Sequence, residues 1–343
     1  MVHITALLMV KNESSRIRVS LKSLVGKVDR IAIHDTGSLD NTVGICERFG
    51  RKHKIDIRIN RGKWVNFCVS RNESIEWAES MSTDWILFLD SNDELRLKDG
   101  KTLHEIALEC DSVSEFSRRG SDVNENTTRG PLVHGIYATQ RLFMRTTQST
   151  IDYVNIKFIR TGLGWRYECP VHEYLTRGDD VSFHTISRPE LVIYQDREED
   201  MEKSNQRNEW DLEVLFDAHK KKPDFARYVF YIGQTYNQMG RYEEALKYFT
   251  KRSGMKGFEP NGYFSRLTCG DICNKLGKTE DSIIWYLRAA TFTEEKMPML
   301  RAEGLFAIGQ IYEDLGLYDL SHTFYKASCD VAPVGEQIDG FAN

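Results

Sequence analysis

The sequence predicts a two-part chain, an α/β domain built on a mostly parallel sheet followed by an all-α array of repeats. Three observations carry that expectation. Up to about residue 110, short apolar runs alternate with amphipathic helical patterns, the order that buries a parallel sheet between helices. From 111 to 130 a stretch rich in Ser, Asn and Arg and without periodicity reads as a mobile loop. Beyond residue 223, glycines, prolines and aromatic residues recur at a nearly constant interval. The 343 residues suit two units at about 150 residues each, and the division is expected between 196 and 197.

In chain order, strands are expected at 3–10, 30–35, 55–60 and 85–90, with helices at 15–24, 41–49 and 69–81 between them. Further strands follow at 135–145, 154–159 and 190–194, around an aromatic-rich segment at 165–175. A linking helix over 197–222 leads away from the sheet. Ligands of such sheets bind beyond the carboxyl ends of the strands. Three polar clusters stand there: Lys11-Asn12-Glu13, His34-Asp35-Thr36-Gly37-Ser38 and Asp90-Ser91-Asn92-Asp93-Glu94. All three are expected to face one crevice.

In the last third, Pro223, Pro260, Pro298 and Pro333 keep register with Gly240, Gly277 and Gly316. Gly233, Gly270 and Gly309 precede those turn glycines, and Ala245, Ser282 and Ser321 follow them. Aromatic pairs come next at Tyr248-Phe249, Trp285-Tyr286 and Phe324-Tyr325. A glycine turn between two helices, small residues where helices cross and a closing proline resemble the tetratricopeptide repeat, and three units over about 223–333 meet the minimum for a stable array.

Composition narrows the function. Hydrophobic residues at 41% and charged residues at 28% exclude disorder as the main state. A net charge of -5 supplies no concentrated basic surface for nucleic acid. Seven scattered cysteines, an odd number, read as reduced thiols, and the apolar start MVHITALLMV lacks a basic flank and cleavage site. With no transmembrane stretch in the sequence, a cytoplasmic protein is expected.

The clusters themselves admit two readings each. Asp90, Asn92 and Asp93 end a buried-strand pattern and would repel unless a hard cation bridging a diphosphate bound them; a solvated, helix-capping turn is the plain alternative. Asp35 suits hydrogen bonds from a ribose or base edge, or an ordinary turn. Arg71 suits a phosphate or a base, or the surface. His172-Glu173 offers a metal ligand beside a general base, or an aromatic loop packed on the sheet.

Together, LMVKNES (8–14), VDRIAIHDTGSLDNT (28–42), FCVSRNESIEWA (67–78), DWILFLDSNDEL (84–95), QRLFMR (140–145) and WRYECPVHEYL (165–175) resemble the family 2 glycosyltransferases of the GT-A fold, in the branch that carries tetratricopeptide-like helices after the catalytic domain. The resemblance implies that Asn12, Glu13 and Asp35 hold the nucleoside of a sugar nucleotide and that Arg71 approaches its base or diphosphate. It implies a metal motif in Asp90-Ser91-Asn92, with Mn²⁺ or Mg²⁺ as cofactor, and a metal ligand and catalytic base in His172-Glu173. One departure stands out: Asn92 replaces the family's usual Asp, so Asp93 is a candidate for the second carboxylate. The implied reaction moves a sugar from a nucleoside diphosphate donor, UDP-linked on family grounds, to a hydroxyl of a glycan, lipid-linked or protein acceptor with inversion. Glu173 takes the acceptor proton, with His172 or Glu168 as rivals for that role. Two other readings are a catalytically weak domain that scaffolds a protein-binding or self-associating helical array, and a nucleotidyltransferase, for which KNESSRIR lacks the glycine-rich phosphate loop.

Overall fold

A computed structural model describes residues 2–119, 133–178, 184–197, 201–257, 259–292 and 298–331. The chain divides into two units, the first up to residue 199 and the second from 200 to 338.

The first unit opens with β1 (Ile4–Val10), α1 (Arg18–Leu24), β2 (Arg30–Asp35), α2 (Thr42–His53), β3 (Asp56–Arg61), α3 (Phe67–Glu79) and β4 (Trp85–Leu89). β1 pairs in parallel with β2 on one side and β4 on the other, and β2 with β3. The two central strands, β1 and β4, read as apolar runs because both their faces are covered, whereas β3 at the edge alternates apolar and polar residues. Every residue of β4 is buried, as are all but Met9 in β1.

The sheet continues through β5 (Asp93–Leu97), α4 (Leu103–Arg119), β6 (Val133–Met144), β7 (Ser149–Arg160) and β10 (His184–Arg197), giving eight strands in the order β3-β2-β1-β4-β7-β6-β10-β5. β7 runs antiparallel to β4 and β6, and β5 antiparallel to β10. A separate ribbon pairs β8 (Arg166–Glu168) with β9 (Tyr174–Thr176).

Two expectations change here. The polar run at 90–94 is not one open cluster, because Asp93 and Glu94 begin β5 and pair with Gln195 and Tyr194 of β10. The loop expected from 111 begins later, since α4 carries the chain to Arg119; the rest of that stretch lies outside the described residues.

The second unit holds α5 (Met201–Lys221), where a linking helix was expected, and three helix pairs: α6 (Ala226–Gln238) with α7 (Tyr242–Ser253), α8 (Glu259–Lys275) with α9 (Thr279–Ala290), and α10 (Pro298–Asp314) with α11 (Tyr318–Val331). The turn glycines 240, 277 and 316 all adopt φ near +70° (+71°, +70° and +73°), a left-handed conformation that side chains resist. Within each pair one glycine receives an aromatic ring. A Cβ on Gly233 would lie 3.1 Å from Phe249, one on Gly270 2.5 Å from Tyr286, and one on Gly309 2.6 Å from Tyr325. The periodic residues are thus the interlock that holds each pair together. Pro333 lies outside the described residues.

Candidate active site

At the expected crevice, loops at the carboxyl ends of β1, β2 and β4 meet α3 and the β8–β9 ribbon through hydrogen bonds. At β1, Asn12 takes φ +56°, and its side-chain oxygen accepts the backbone N–H groups of Leu39 at 2.7 Å and Asp40 at 3.3 Å. Its own N–H donates to Ser38 Oγ, and that of Glu13 to Thr42 Oγ1. Both residues therefore tie the β1 loop to the β2 loop. The Glu13 carboxylate pairs with Arg16. Asp35, 4% exposed at the end of β2, accepts the Ser38 N–H at 3.1 Å. Its neighbour His34 is buried, 3.1 Å from Asn60 through Nδ1, and burial lowers its pKa against the opposing pull of Glu73 and Asp35.

Beside them α3 starts on a capped end, the Asn66 side chain accepting the Val69 N–H. Residues 68, 71 and 72 share one face of this helix. The Asn72 carboxamide binds the backbone of Tyr167 in both directions, accepting its N–H at 2.7 Å and donating to its carbonyl at 3.0 Å, and Cys68 Sγ donates to the same carbonyl. That clamp fixes β8 against α3. It also places Arg71 over the Tyr167 ring, 5.2 Å from its centroid.

Arg71 is the centre of the site. Its Nε donates to Glu173 Oε1 at 2.8 Å, and its Nη2 to Asp90 Oδ1 at 3.3 Å. Burial works to lower the guanidinium pKa, but Tyr167, Asp90 and Glu173 outweigh it and push the value up. Burial also pushes the Tyr167 phenol up to about 12. One cation therefore bridges two carboxylates that stand 83 residues apart in sequence (173 − 90).

The loop between β8 and β9 is strained. Cys169 has φ +73° and His172 φ +50°, uncommon values for residues with a Cβ. Such backbone persists where the surroundings over-determine it, and here it delivers Glu173 to Arg71. Glu168 is held elsewhere, paired with Arg166 and accepting the Tyr174 hydroxyl at 2.9 Å.

The structure separates the residues of the expected metal motif. Asp90 lines the crevice with its side chain 45% exposed, its carbonyl accepting from Ser20 Oγ. Ser91 is buried, and Asn92 Oδ1 accepts from Gln195 Nε2 at 3.2 Å. Asp93 is fully buried behind the turn. It accepts the Asp90 N–H at 2.9 Å and Gln195 Nε2 at 3.0 Å, and lies 3.9 Å from Lys157. Its pKa is raised to about 6 by burial, against the pull of Lys157. Asp93 thus braces the turn, and the second carboxylate expected from it does not open on the crevice. Among the described residues no group of three or more His, Cys, Asp or Glu gathers as a metal site.

Sequence reasoning missed Asn72, Tyr167 and Gln195. Asn72 was legible only through its position next to Arg71; nothing local marks Gln195, which reaches the turn from more than 100 residues away.

Parts of this chain are similar to known proteins. Residues 5–163 match the family model described as Glycosyl transferase family 2. The chain carries a family 2 glycosyltransferase domain. Residues 226–251 and 302–334 match the tetratricopeptide repeat; the α8–α9 pair between them has the same glycine–aromatic interlock. An uncharacterized glycosyltransferase of Rickettsia conorii is 31% identical over 93 residues, 27% of this chain and 29% of that protein. The SPbeta prophage-derived glycosyltransferase SunS of Bacillus subtilis is 37% identical over 99 residues, 29% of this chain and 22% of that one. The chain thus matches less than a third of the length of these curated relatives. The structure of S. aureus TarS 1–349 in complex with UDP pairs with 98% of this chain, and 95% of its own, at 12% identity and a TM-score of 0.37.

Proposed function

We propose that the first unit transfers a sugar, with inversion, from a nucleoside diphosphate donor to an acceptor hydroxyl. The observation that carries this is the Arg71 bridge, which brings the end of β4 and the β8–β9 loop to one point, so that a donor-side carboxylate and an acceptor-side carboxylate flank one crevice. Asp35 and the joined β1 and β2 loops form the floor for the nucleoside; uridine is the base the family resemblance implies.

The donor set suits a cation that arrives on the diphosphate. Mg²⁺ keeps several waters and binds through one or two carboxylates plus substrate phosphates, and Mn²⁺ shares the preference for oxygen. Asp90 supplies the half-exposed carboxylate such an ion needs, and His172, next to Glu173, is the candidate for a further ligand. When bound, the ion offsets charge developing on the leaving diphosphate. Arg71 holds Asp90 and Glu173 in position in the same crevice. Glu173 takes the proton as the acceptor oxygen bonds to the anomeric carbon and the bond from that carbon to the diphosphate breaks. Glu168, engaged by Arg166 and Tyr174, is the weaker candidate for the base.

Calorimetric titration tests the donor side. UDP is expected to bind only with Mn²⁺ or Mg²⁺ present, Mn²⁺ alone to bind weakly, and Asp90→Ala to remove the metal-dependent gain. Unchanged UDP affinity after EDTA treatment would overturn the metal assignment.

No helix among the described residues is long and apolar enough to cross a membrane. We infer that the helical unit engages a protein partner.

A further inference from the structure

The second unit contains a groove of about 520 Å³ lined by Leu267 and Asp271 of α8 and by Glu303, Phe306, Ala307 and Gln310 of α10. The spacing puts each set along one helix face. From Glu303 to Gln310 the α10 side runs about 10 Å at 1.5 Å per residue, which about three extended residues span.

Two carboxylates stand in this groove without a compensating cation among the described residues. The Tyr286 hydroxyl donates to Asp271 Oδ1 at 2.7 Å and the Tyr263 hydroxyl to Glu303 at 3.5 Å. These are neutral donors that orient the carboxylates and leave the charge in place. The cations of the same helices lie elsewhere: Arg266 donates to the carbonyls of Gly262 and Ser253, Lys275 sits over the Tyr242 ring, and Arg301 donates to the carbonyl of Ala290. Partial burial raises the Glu303 pKa, and Asp271 adds to the rise. Beside this charge Phe306 is 48% exposed.

Resting on the reading that the helical unit engages a protein partner, we propose that the groove docks a polypeptide segment presenting a lysine or arginine to Asp271 and Glu303 and an apolar side chain to Leu267 and Phe306. Charge complementarity selects this occupant, since an anionic ligand such as nucleic acid would meet two like charges. The apolar wall and the Gln310 amide favour a peptide over a free amine, because they offer contacts for a neighbouring side chain and for main-chain groups.

A positional-scanning array of eight-residue peptides, probed with the full chain, tests this. One position is expected to enrich Lys or Arg beside an enriched apolar position. A hit peptide should bind about fivefold more weakly to Asp271→Asn or Glu303→Gln, as for a partly exposed ion pair. Phe306→Ala should lose the apolar preference while keeping the basic one. The amide variants retain an acceptor for each tyrosine, and an unchanged melting temperature verifies their fold. Absence of Lys or Arg enrichment, or enrichment that persists in the double amide variant, overturns the proposal. So does dimerisation of the chain that the double variant abolishes, which would assign the groove to a second copy. Sugar transfer enters none of these readouts, so failure here and failure of the glycosyltransferase reading are separate.

Discussion

Replacing Arg71 by Met keeps most of the stem's volume and removes the cation between two carboxylates. The two ends of the bridge are unequal. Glu173 is the buried partner, its side chain 15% exposed against 17% for Arg71, whereas Asp90 is 45% exposed and keeps much of its hydration. Breaking a buried pair by removing one partner costs about 3 kcal/mol or more, while an exposed pair contributes less than about 1 kcal/mol. The Glu173 end therefore dominates, and Arg71→Met is expected to destabilise the first unit by about 3 kcal/mol, a fall of about 6–12 °C in melting temperature for a unit of this size. Glu173→Gln should cost much less, because its amide oxygen still accepts from Arg71 Nε and Asp90 remains to balance the cation. The double variant should then recover about 2 kcal/mol of the Arg71→Met loss, the coupling expected of residues in direct contact. Differential scanning calorimetry of the four proteins measures this cycle. If Arg71→Met melts with the parent, or the double variant melts at the sum of the two losses, Arg71 does not hold Glu173.

With an acceptor and donor in hand, Glu173→Gln is expected to lower turnover by about 10²- to 10⁴-fold, as for loss of a general base, while calorimetry shows unchanged UDP affinity; lost affinity at unchanged saturating turnover would make Glu173 a binding residue instead. In the helical unit, Gly270→Ala drives a Cβ to 2.5 Å from the Tyr286 ring, so overpacking of about 1–3 kcal/mol outweighs the helix-propensity gain of about 1 kcal/mol. Gly233→Ala, at 3.1 Å from Phe249, should be close to neutral, and thermal melts that reverse this order would refute the interlock. Burial depresses the His34 pKa below its usual 6.5, so as pH falls the unfolded chain binds its proton first. Stability from this residue is complete above that value and lost progressively to the acid side. His34→Gln should flatten the pH dependence of the melting temperature between about pH 7.5 and pH 5, and an unchanged slope would exclude the residue as its source.

The order of apolar runs and helical patterns by itself determined the first seven elements, because burial on both faces writes β4 as an unbroken hydrophobic segment, β1 as one broken only by Thr5, and the centre of β2 as the apolar run Ile31–Ile33. The repeat interval likewise determined the helix pairs, since a glycine turn and a glycine–aromatic contact recur wherever the same packing recurs. Which polar residues meet was decided only in three dimensions. Asp90-Ser91-Asn92-Asp93 is one motif in sequence, yet a tight turn alternates its side chains between crevice and interior, so that Asp90 reaches Arg71 while Asp93 is enclosed by Gln195 and Lys157. β5 escaped notice because a five-residue edge strand headed by two acids looks like loop until β10 pairs with it. The Arg71 bridge has no local signature at all: its three charged groups come from α3, the end of β4 and the β8–β9 loop, and only the packing of the ribbon on α3, fixed by Asn72, brings them within hydrogen-bond distance.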